Sequence, residues 1–184
     1  AGALDSTNGV DEASGTVAIG KSALTSLTSG AGNTAVGYRA MNDLVDGTHN
    51  TAIGYNAFGG TFADTTADGS THNVFIGHSA GSGNWETATS NYNVGVGNYV
   101  MDDVMNGADG NTAMGNGALS GITTGDGNVG VGRAAGNATT TGASNVAIGA
   151  YIDGTNQGPL ITNTAGSFNI AIGTGALQTA NAIE

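Results

Sequence analysis

The chain has 184 residues and a formal net charge of −11, because 14 Asp and Glu stand against three Lys and Arg. So few basic residues argue against nucleic-acid binding and against attraction to anionic membranes, and no apolar run approaches the roughly 18 residues of a membrane span. With 39% hydrophobic and only 9% charged residues, the composition does not fit ordinary disorder. The scarcity of aromatic residues predicts a thin core of small aliphatic side chains.

One short phrase, Asn-(Thr/Val/Ile)-x-(Val/Ile/Met)-Gly, occurs nine times along the chain when Thr is allowed in the Asn place of the first copy. The repeat begins with Thr16, Asn33, Asn50, Asn73, Asn93, Asn111, Asn128, Asn145 and Asn169. It closes with Gly20, Gly37, Gly54, Gly77, Gly97, Gly115, Gly132, Gly149 and Gly173. The spacings between these glycines are 17, 17, 23, 20, 18, 17, 17 and 24 residues. A minimal period with insertions predicts a solenoid whose longer connections form loops.

Within each copy the side chains alternate in the way that a short strand requires. We expect the second and fourth residues, such as Val17 and Ile19, to face the core of the coil. The third and fifth residues are mostly Ala and Gly, and so bare a face predicts close approach by another backbone, as three chains on a common axis would provide. Asp-Gly pairs before several copies predict tight turns, and the stacked asparagines predict a ladder of side-chain amides.

A weaker apolar pair follows each closing glycine, as at Ala23-Leu24 and Ala40-Met41. We interpret this pair as a second strand, so that each coil has two strands and two turns. The predicted fold is therefore all-β, a β-solenoid of about nine coils over residues 15–177, with a lead segment at 1–14 and a tail at 178–184. At about 4.8 Å per coil, the solenoid would rise about 43 Å.

Two stretches, Asn-Thr-Ala-Val-Gly-Tyr-Arg-Ala-Met at 33–41 and Asn-Thr-Ala-Ile-Gly-Tyr-Asn-Ala-Phe at 50–58, resemble known extracellular repeats. They are similar to the head repeats of the YadA-like trimeric autotransporter adhesins and to related repeats of phage tail fibres and other surface fibres. The resemblance covers residues 15–177, although the adhesin head period is shorter. It implies a left-handed parallel β-roll in an intertwined homotrimer on a cell or virion surface, where such proteins bind host glycans or proteins.

Three segments match motifs of nucleotide-binding or catalytic sites. Residues 15–22 fit GxxxxGK[ST], residues 77–81 fit GxSxG, and residues 125–130 fit GxGxxG. The first motif requires a loop between a strand and a helix, whereas its middle residues are here the repeat's own strand. The second requires a His after the nucleophile, and no His follows Ser79. The repeat explains all three matches, and we expect no catalytic residue and no bound cofactor.

The sequence offers two weak possibilities for a metal ion. His49 and His72 each precede a repeat Asn and are expected to stack on adjacent coils. In a trimer they could ring an axis around a metal, although exposed loop histidines are the favoured interpretation. Four acids could gather Ca²⁺ in the loops, although solvated loop charge is the favoured interpretation for them as well. These acids are Asp43, Asp46, Asp102 and Asp103.

Aromatic residues in the longer inserts are the best candidates for contact with a ligand, since exposed rings stack on sugars and anchor interfaces. They are Phe62, Trp85, Tyr92 and Phe168. Trp85 is the one tryptophan of the sequence, and a cap on an exposed coil edge is an equally good interpretation of it.

Taken together, these patterns predict a non-enzymatic extracellular fibre or adhesion protein that associates as a homotrimer, stacks head to tail into filaments, or does both. The alternative is a glycan-degrading β-solenoid enzyme of tailspike type, which needs a better-placed carboxylate pair than the neighbours Asp102 and Asp103. An ice-binding face would need a regular Thr array. The strand threonines Thr34, Thr51 and Thr112 occur in only some copies, on the face that we expect to be internal.

Overall fold

The computed structural model describes residues 14–60, 69–85, 88–152 and 158–178. Nine three-residue strands form one parallel sheet there, and each strand pairs with the next along the sequence. The strands are β1 (Val17–Ile19), β2 (Thr34–Val36), β3 (Thr51–Ile53), β4 (Val74–Ile76), β5 (Val94–Val96), β6 (Thr112–Met114), β7 (Val129–Val131), β8 (Val146–Ile148) and β9 (Ile170–Ile172). Apart from Ser14 and Gln178, the predicted terminal segments lie outside the described residues.

Every strand occupies the second to fourth residues of a repeat, and the pairing keeps the repeats in register. Thr34 of β2 lies beside Thr51 of β3, and the same correspondence joins Val146 of β8 to Ile170 of β9. Parallel neighbours need a crossover connection, so the chain travels around a full coil before each new strand begins. The predicted all-β, parallel β-solenoid is therefore confirmed, with one strand for each repeat.

Our assignment of the two strand faces is wrong. The third residue of a repeat, such as Ala35 or Ala52, is fully buried. The second and fourth residues, such as Thr112 and Met114 of β6, are instead exposed or half-buried. The small residues thus line the inside of the coil, and the larger aliphatic side chains point away from it.

The thinness of the coil explains this reversal. The turn after each strand folds back directly behind it, so that the third position meets atoms of the same chain. A Cβ atom added at Gly95 would lie 2.8 Å from the Phe75 ring and 3.0 Å from Val100, and one added at Gly130 would lie 2.8 Å from Leu119. The bare face does mark a close approach, but the approaching atoms belong to this chain and do not require a second one.

The apolar pair after each closing glycine is not the second strand that we expected. Leu24, Met41 and Phe58 have φ angles of 51°, 50° and 49°, which lie in the left-handed region. Isolated backbone bonds, such as that from Leu24 N–H to the Ala40 carbonyl at 3.0 Å, join this turn to the next coil without forming a strand. Two consecutive apolar residues indicate that a segment is buried, but they do not distinguish a buried turn from a strand.

The closing glycine sets how closely successive coils can stack. Gly97 has a φ of +144°, and a Cβ atom there would lie only 2.5 Å from the carbonyl oxygen of Gly115 in the next repeat. A side chain would therefore meet both an unfavourable backbone conformation and a backbone clash. The same constraint explains why the repeat ends on Gly in the copies that another repeat follows.

Side chains from the turns fill the interior in two clusters. The larger one, which we call the N-terminal core, extends from Ala23 to Ile122 and includes Phe58, Phe75 and Trp85. The smaller one, which we call the C-terminal core, consists of Ala135, Ala147, Leu160 and Ala171.

Candidate functional site

The outward side chains of the sheet form a continuous, mostly apolar strip along the described surface. We call this surface the outer face and define it as the second and fourth residues of the nine repeats. The second positions are Val17, Thr34, Thr51, Val74, Val94, Thr112, Val129, Val146 and Ile170. The fourth positions are Ile19, Val36, Ile53, Ile76, Val96, Met114, Val131, Ile148 and Ile172. The outer face contains no charged residue, and its polar side chains are three threonines.

The outer face is long, narrow and regular. Nine strands at about 4.8 Å give it a length of about 38 Å, and alternate residues along a strand lie about 7 Å apart. Large side chains on it reach solvent, as shown by Met114 at 54% exposure and Ile19 at 59%. The largest contiguous apolar patch of a monomeric soluble protein typically covers about 300–600 Å² and is often an interaction site, so this strip is a candidate for one.

The buried repeat asparagines hold this face in register, as the sequence predicted. Asn111 is fully buried. Its Nδ2 group donates to Asn93 Oδ1 at 3.1 Å and to the Gly125 carbonyl at 2.9 Å. Its own Oδ1 accepts from the backbone N–H of Asn128 at 2.9 Å and from Asn128 Nδ2 at 3.1 Å. Each amide therefore links its coil to both neighbours, which confirms the predicted ladder.

The two ends of the ladder differ from its middle. At the first repeat Thr16 takes the Asn place, and its Oγ1 accepts from the backbone N–H of Asn33 at 3.4 Å. At the last repeat Asn169 Nδ2 donates to Asn145 Oδ1 at 3.0 Å and to the Ser167 carbonyl at 3.2 Å. No donor among the described residues reaches Asn169 Oδ1. The last rung of the ladder thus leaves one acceptor open.

Aromatic and imidazole rings form two exposed columns beside the strands. His49 stacks on His72 at a centroid distance of 4.9 Å, and His72 stacks on Tyr92 at 5.2 Å. The predicted stacking of the two histidines is therefore confirmed. Stacked rings direct their faces at each other, which leaves mainly their edges for contact with a ligand.

Sequence reasoning missed the second ring column. Tyr38 stacks on Tyr55 at 5.1 Å, Tyr55 stacks on His78 at 5.1 Å, and Tyr99 meets His78 edge-on. The available signal was the recurrence of a ring one or two residues after successive closing glycines. The repeat spacing places such residues directly above one another.

The four predicted ligand-contact residues have different environments. Trp85 is fully buried against Phe58 and Phe75, and its Nε1 donates to the Gly81 carbonyl at 3.1 Å. Its ring therefore belongs to the core and offers no stacking surface to solvent. Tyr92 and Phe168 are exposed. The remaining candidate, Phe62, lies outside the described residues.

The four acids considered for Ca²⁺ do not form one site. Asp102 and Asp103 line a shallow surface depression with Ser120, Gly121 and Asn137. Asp43 and Asp46 belong to the second repeat, about 14 Å away along the axis at three coil spacings. Across the described ranges, no group of three or more His, Cys, Asp or Glu side chains is placed to hold a metal ion.

The pKa values of two of these carboxyl groups are raised. Partial burial raises the pKa of Asp102, and the neighbouring Asp103 raises it further, while a hydrogen bond from the backbone of Asp102 acts in the opposite direction. Partial burial also raises the pKa of Asp43, where a hydrogen bond from Asn42 and the charge of Arg39 partly offset the effect. Removal from water disfavours the charged form of each group.

The three motif matches fall on ordinary parts of the repeat. The middle of residues 15–22 is β1, and the last two residues of 125–130 are the start of β7, so neither segment forms a loop leading into a helix. Ser79 lies in a turn with a φ of 51°, and the neighbouring His78 ring packs against tyrosines.

A Thr array suited to ice is also not formed. Thr34, Thr51 and Thr112 do lie on the outer face, contrary to our expectation that they face inward. They nevertheless alternate irregularly with valine and isoleucine in the second position, and the fourth position contains no Thr.

Comparison of the chain with protein-family models, with curated proteins and with solved structures finds no match. In the part of the chain that the structure describes, no helix has the length and apolar character needed to cross a lipid bilayer.

Proposed function

We propose that this chain is a non-enzymatic structural or adhesive fibre protein that acts outside the cell, on a cell surface or a virion. In this proposal it forms a left-handed β-roll of nine coils that associates as a homotrimer through the outer face. The observation that carries the proposal is the uncharged, aliphatic outer face, which continues over all nine strands. The extracellular setting is supported by the resemblance of residues 33–41 and 50–58 to surface-fibre repeats.

The dimensions of the outer face favour several chains around an axis. A strip about 38 Å long and about 10 Å wide offers roughly 400 Å² per chain, about half of what one partner contributes to a standard interface. A flat pair of chains would therefore bury too little surface. Three such strips that turn toward a common axis shield one another on both sides, and adjacent side chains add to the contact.

The adhesive role would belong to the connections between coils, which remain at the surface of such a trimer. Tyr92 and Phe168 are the exposed aromatic candidates there, and they suit contact with a host-surface glycan or protein. With −11 net charge, the assembly would stay soluble and would not attract nucleic acid.

Mass in solution tests the proposal directly. At concentrations too low for longer assemblies to form, we expect the purified chain to sediment at three times its 17.8 kDa. Under the same dilute conditions Met114→Lys should give monomers, because it places a charge near the centre of the outer face on a side chain of similar length that already reaches solvent. Asn116→Lys is the matched control, since it adds the same charge at an exposed turn position two residues later and should leave the trimer intact. A monomeric parent chain, or a trimer that tolerates Met114→Lys, would overturn the proposal.

One observation favours the second candidate, a glycan-degrading enzyme. Asp102 and Asp103 share one surface depression, and the pKa of Asp102 is raised beside its neighbour, an arrangement also found where a carboxyl group serves as a general acid. Incubation with bacterial surface polysaccharides would test this candidate. Release of new reducing ends that disappears in Asp103→Asn would support it, and no release would exclude it for the polysaccharides used.

A further inference from the structure

The sheet has two open edges with complementary hydrogen-bonding groups. In the interior, second- and fourth-position residues bond toward the following coil, as Val17 N–H does to the Asn33 carbonyl at 2.8 Å and as the Ile19 carbonyl does with Gly37 N–H at 2.7 Å. The equivalent N–H and C=O groups of Ile170 and Ile172 point away from β8. No described residue pairs with them, since β9 has β8 as its one neighbour in the sheet.

The opposite edge, at β1, presents the matching set. First-, third- and fifth-position residues bond toward the preceding coil, so the Thr16 carbonyl, both backbone groups of Ala18 and the Gly20 N–H point away from β2. These groups also have no partner among the described residues. An unpaired strand edge of this kind is a template for another strand.

Side chains at the β9 end also lack partners that the corresponding side chains of earlier coils have. The Asn169 Oδ1 acceptor occupies the place where every earlier rung receives the backbone N–H of the next repeat, and the Thr16 N–H of a second copy is such a donor. Ile170 is 67% exposed and Leu177 is 41% exposed, although leucine in the corresponding turn of earlier coils is buried. A further coil of the same design would bury Leu177 and would reduce the exposure of Ile170.

We propose that two copies of this chain stack end to end, with β9 of one copy paired in parallel with β1 of the next. The register is Ile170 beside Val17, Ala171 beside Ala18, and Ile172 beside Ile19. Thr16 N–H then donates to Asn169 Oδ1, so the contact reproduces the ladder between ordinary coils. A head-to-tail contact of this kind does not close on itself and builds an open filament. The inference goes beyond the proposed trimer, which concerns lateral contacts, because it specifies an axial contact that does not require the trimer.

Electron microscopy of the 184-residue chain tests the filament. The expected result is a rod of uniform width whose axial repeat is about 43 Å, because nine strands add about 4.8 Å each and the junction adds no gap. A terminal segment inserted between copies would give a longer repeat and would overturn the register. Discrete rods about 43 Å long at every concentration would overturn the stacking itself.

Ile170→Pro separates the junction from the fold. The Ile170 N–H has no partner within the described chain, so proline removes a donor that the junction alone uses. We expect filaments to shorten to single units while the circular dichroism spectrum stays the same. Ile170→Val is the matched control and should keep full filament length. Full-length filaments of Ile170→Pro would contradict the proposed pairing.

Gly173→Ala provides a second and independent variant. A Cβ atom at Gly173 meets no atom within 4 Å in the single chain, whereas Cβ atoms at Gly97 and most earlier closing glycines would strike a carbonyl of the next repeat. In the filament the added methyl group would strike the Gly20 carbonyl of the second copy. Gly110→Ala is the control, because Gly110 also has a positive φ and open space around it but lies far from the junction. We expect Gly173→Ala to abolish filament elongation and Gly110→Ala to leave it unchanged.

The two proposals fail in different ways. Met114→Lys should remove lateral association and leave thin single-chain filaments, whereas Ile170→Pro should leave discrete trimers. Trimers that never elongate would overturn the junction and keep the proposed function. Thin single-chain filaments of the parent chain would overturn the proposed trimer and keep the junction. A monomer at all concentrations would overturn the trimer and the junction.

Discussion

The N-terminal and C-terminal cores share one backbone design but differ in what fills it. The N-terminal core contains Phe58, Phe75 and Trp85 together with leucine and methionine, whereas the C-terminal core has Leu160 as its one large side chain. Both regions keep the same strand register and the same Asn ladder. The ladder and the register are thus kept whether large or small side chains fill the coil, and we expect side-chain volume to determine how firmly each coil is held.

One column of turn residues shows where the change occurs. Leu27, Leu44 and Ile122 occupy this column in the N-terminal core and are fully buried. The same place is taken by Thr139 and then Asn163 in the C-terminal repeats, as their equivalent bonds to the residue three positions earlier indicate. The Thr139 hydroxyl is buried with no hydrogen-bond partner. The apolar column therefore ends after Ile122, and we expect the C-terminal coils to open first.

Removing a ring from the N-terminal core should produce the largest effect. Phe75→Ala is expected to lower the free energy of unfolding by about 3–5 kcal/mol, because Gly81 and Gly95 have already made room for the ring and cannot refill the space. Leu160→Ala in the C-terminal core should cost about 2 kcal/mol, since fewer large side chains surround it. Urea unfolding of the two variants measures both values. Equal losses would remove the contrast between the two cores.

The Asn ladder should show a contrast between its middle and its end. Asn111→Ala removes four hydrogen bonds at a fully buried site and should cost about 2–4 kcal/mol. Asn169→Ala removes two bonds at a partly exposed site and should cost about 1 kcal/mol or less. These values apply to single chains, measured at concentrations too low for assembly. A large loss for Asn169→Ala under those conditions would show that the last rung is not open.

A substitution at Thr139 should stabilise the C-terminal coils. Thr139→Val keeps the shape of the side chain, removes the unpartnered hydroxyl and extends the apolar column by one coil. We expect a gain of about 1 kcal/mol, and slower hydrogen exchange of the backbone amides near Thr140 and Thr164. Thr123→Val, at a half-buried hydroxyl that donates to the Thr140 carbonyl, is the control and should give no gain. A loss of stability in Thr139→Val would indicate that the hydroxyl has a partner, such as water.

The smallest expected effect is a change in the pH dependence of stability, caused by Asp102 in the N-terminal region. The pKa of Asp102 is higher in the folded chain than its usual value of about 3.9, so the native state binds more protons between these two values. Stability should therefore rise as pH falls through the raised pKa, and it should level off below about 3.9. Asp102→Asn should flatten this profile and be slightly more stable than the parent at neutral pH. Thermal unfolding across the acidic range measures the difference, and parallel profiles would contradict it.

The sequence predicted the strand of each repeat, the Asn ladder and the stacked histidines, because all of these follow from a residue type that recurs at a fixed spacing. It also predicted a second strand in each coil, where the structure has a turn. It did not predict which strand face lies inside. Alternation shows that two faces differ, but the assumption that the larger apolar residues point inward fails when the coil is only wide enough for Ala. The turn behind the strand determines that width, and its left-handed geometry at Leu24 has no signature in composition.

The buried position of Trp85 could not be predicted from the sequence either, for a specific reason. Its place depends on the length of the preceding connection, and length alone does not fix where a loop side chain points. A compensating pattern was nevertheless present in the sequence: Phe75 stands where most repeats have Ala, while Gly81 and Gly95 stand where others have larger residues. Paired exceptions of opposite size indicate that two positions share one space. Such a pair would have placed an aromatic cluster near the fourth repeat.

The closing glycine has a consequence for how such a chain can change its length. Because the closing glycines that precede another repeat leave no room for a side chain beside that repeat's glycine, neighbouring units pack through main-chain atoms that every copy possesses. A duplicated or deleted unit therefore finds the same contacts on both sides. The molecule can be lengthened or shortened by whole units at the level of the gene, about 4.8 Å at a time. Each added or deleted unit should therefore change the length of the solenoid by one fixed step.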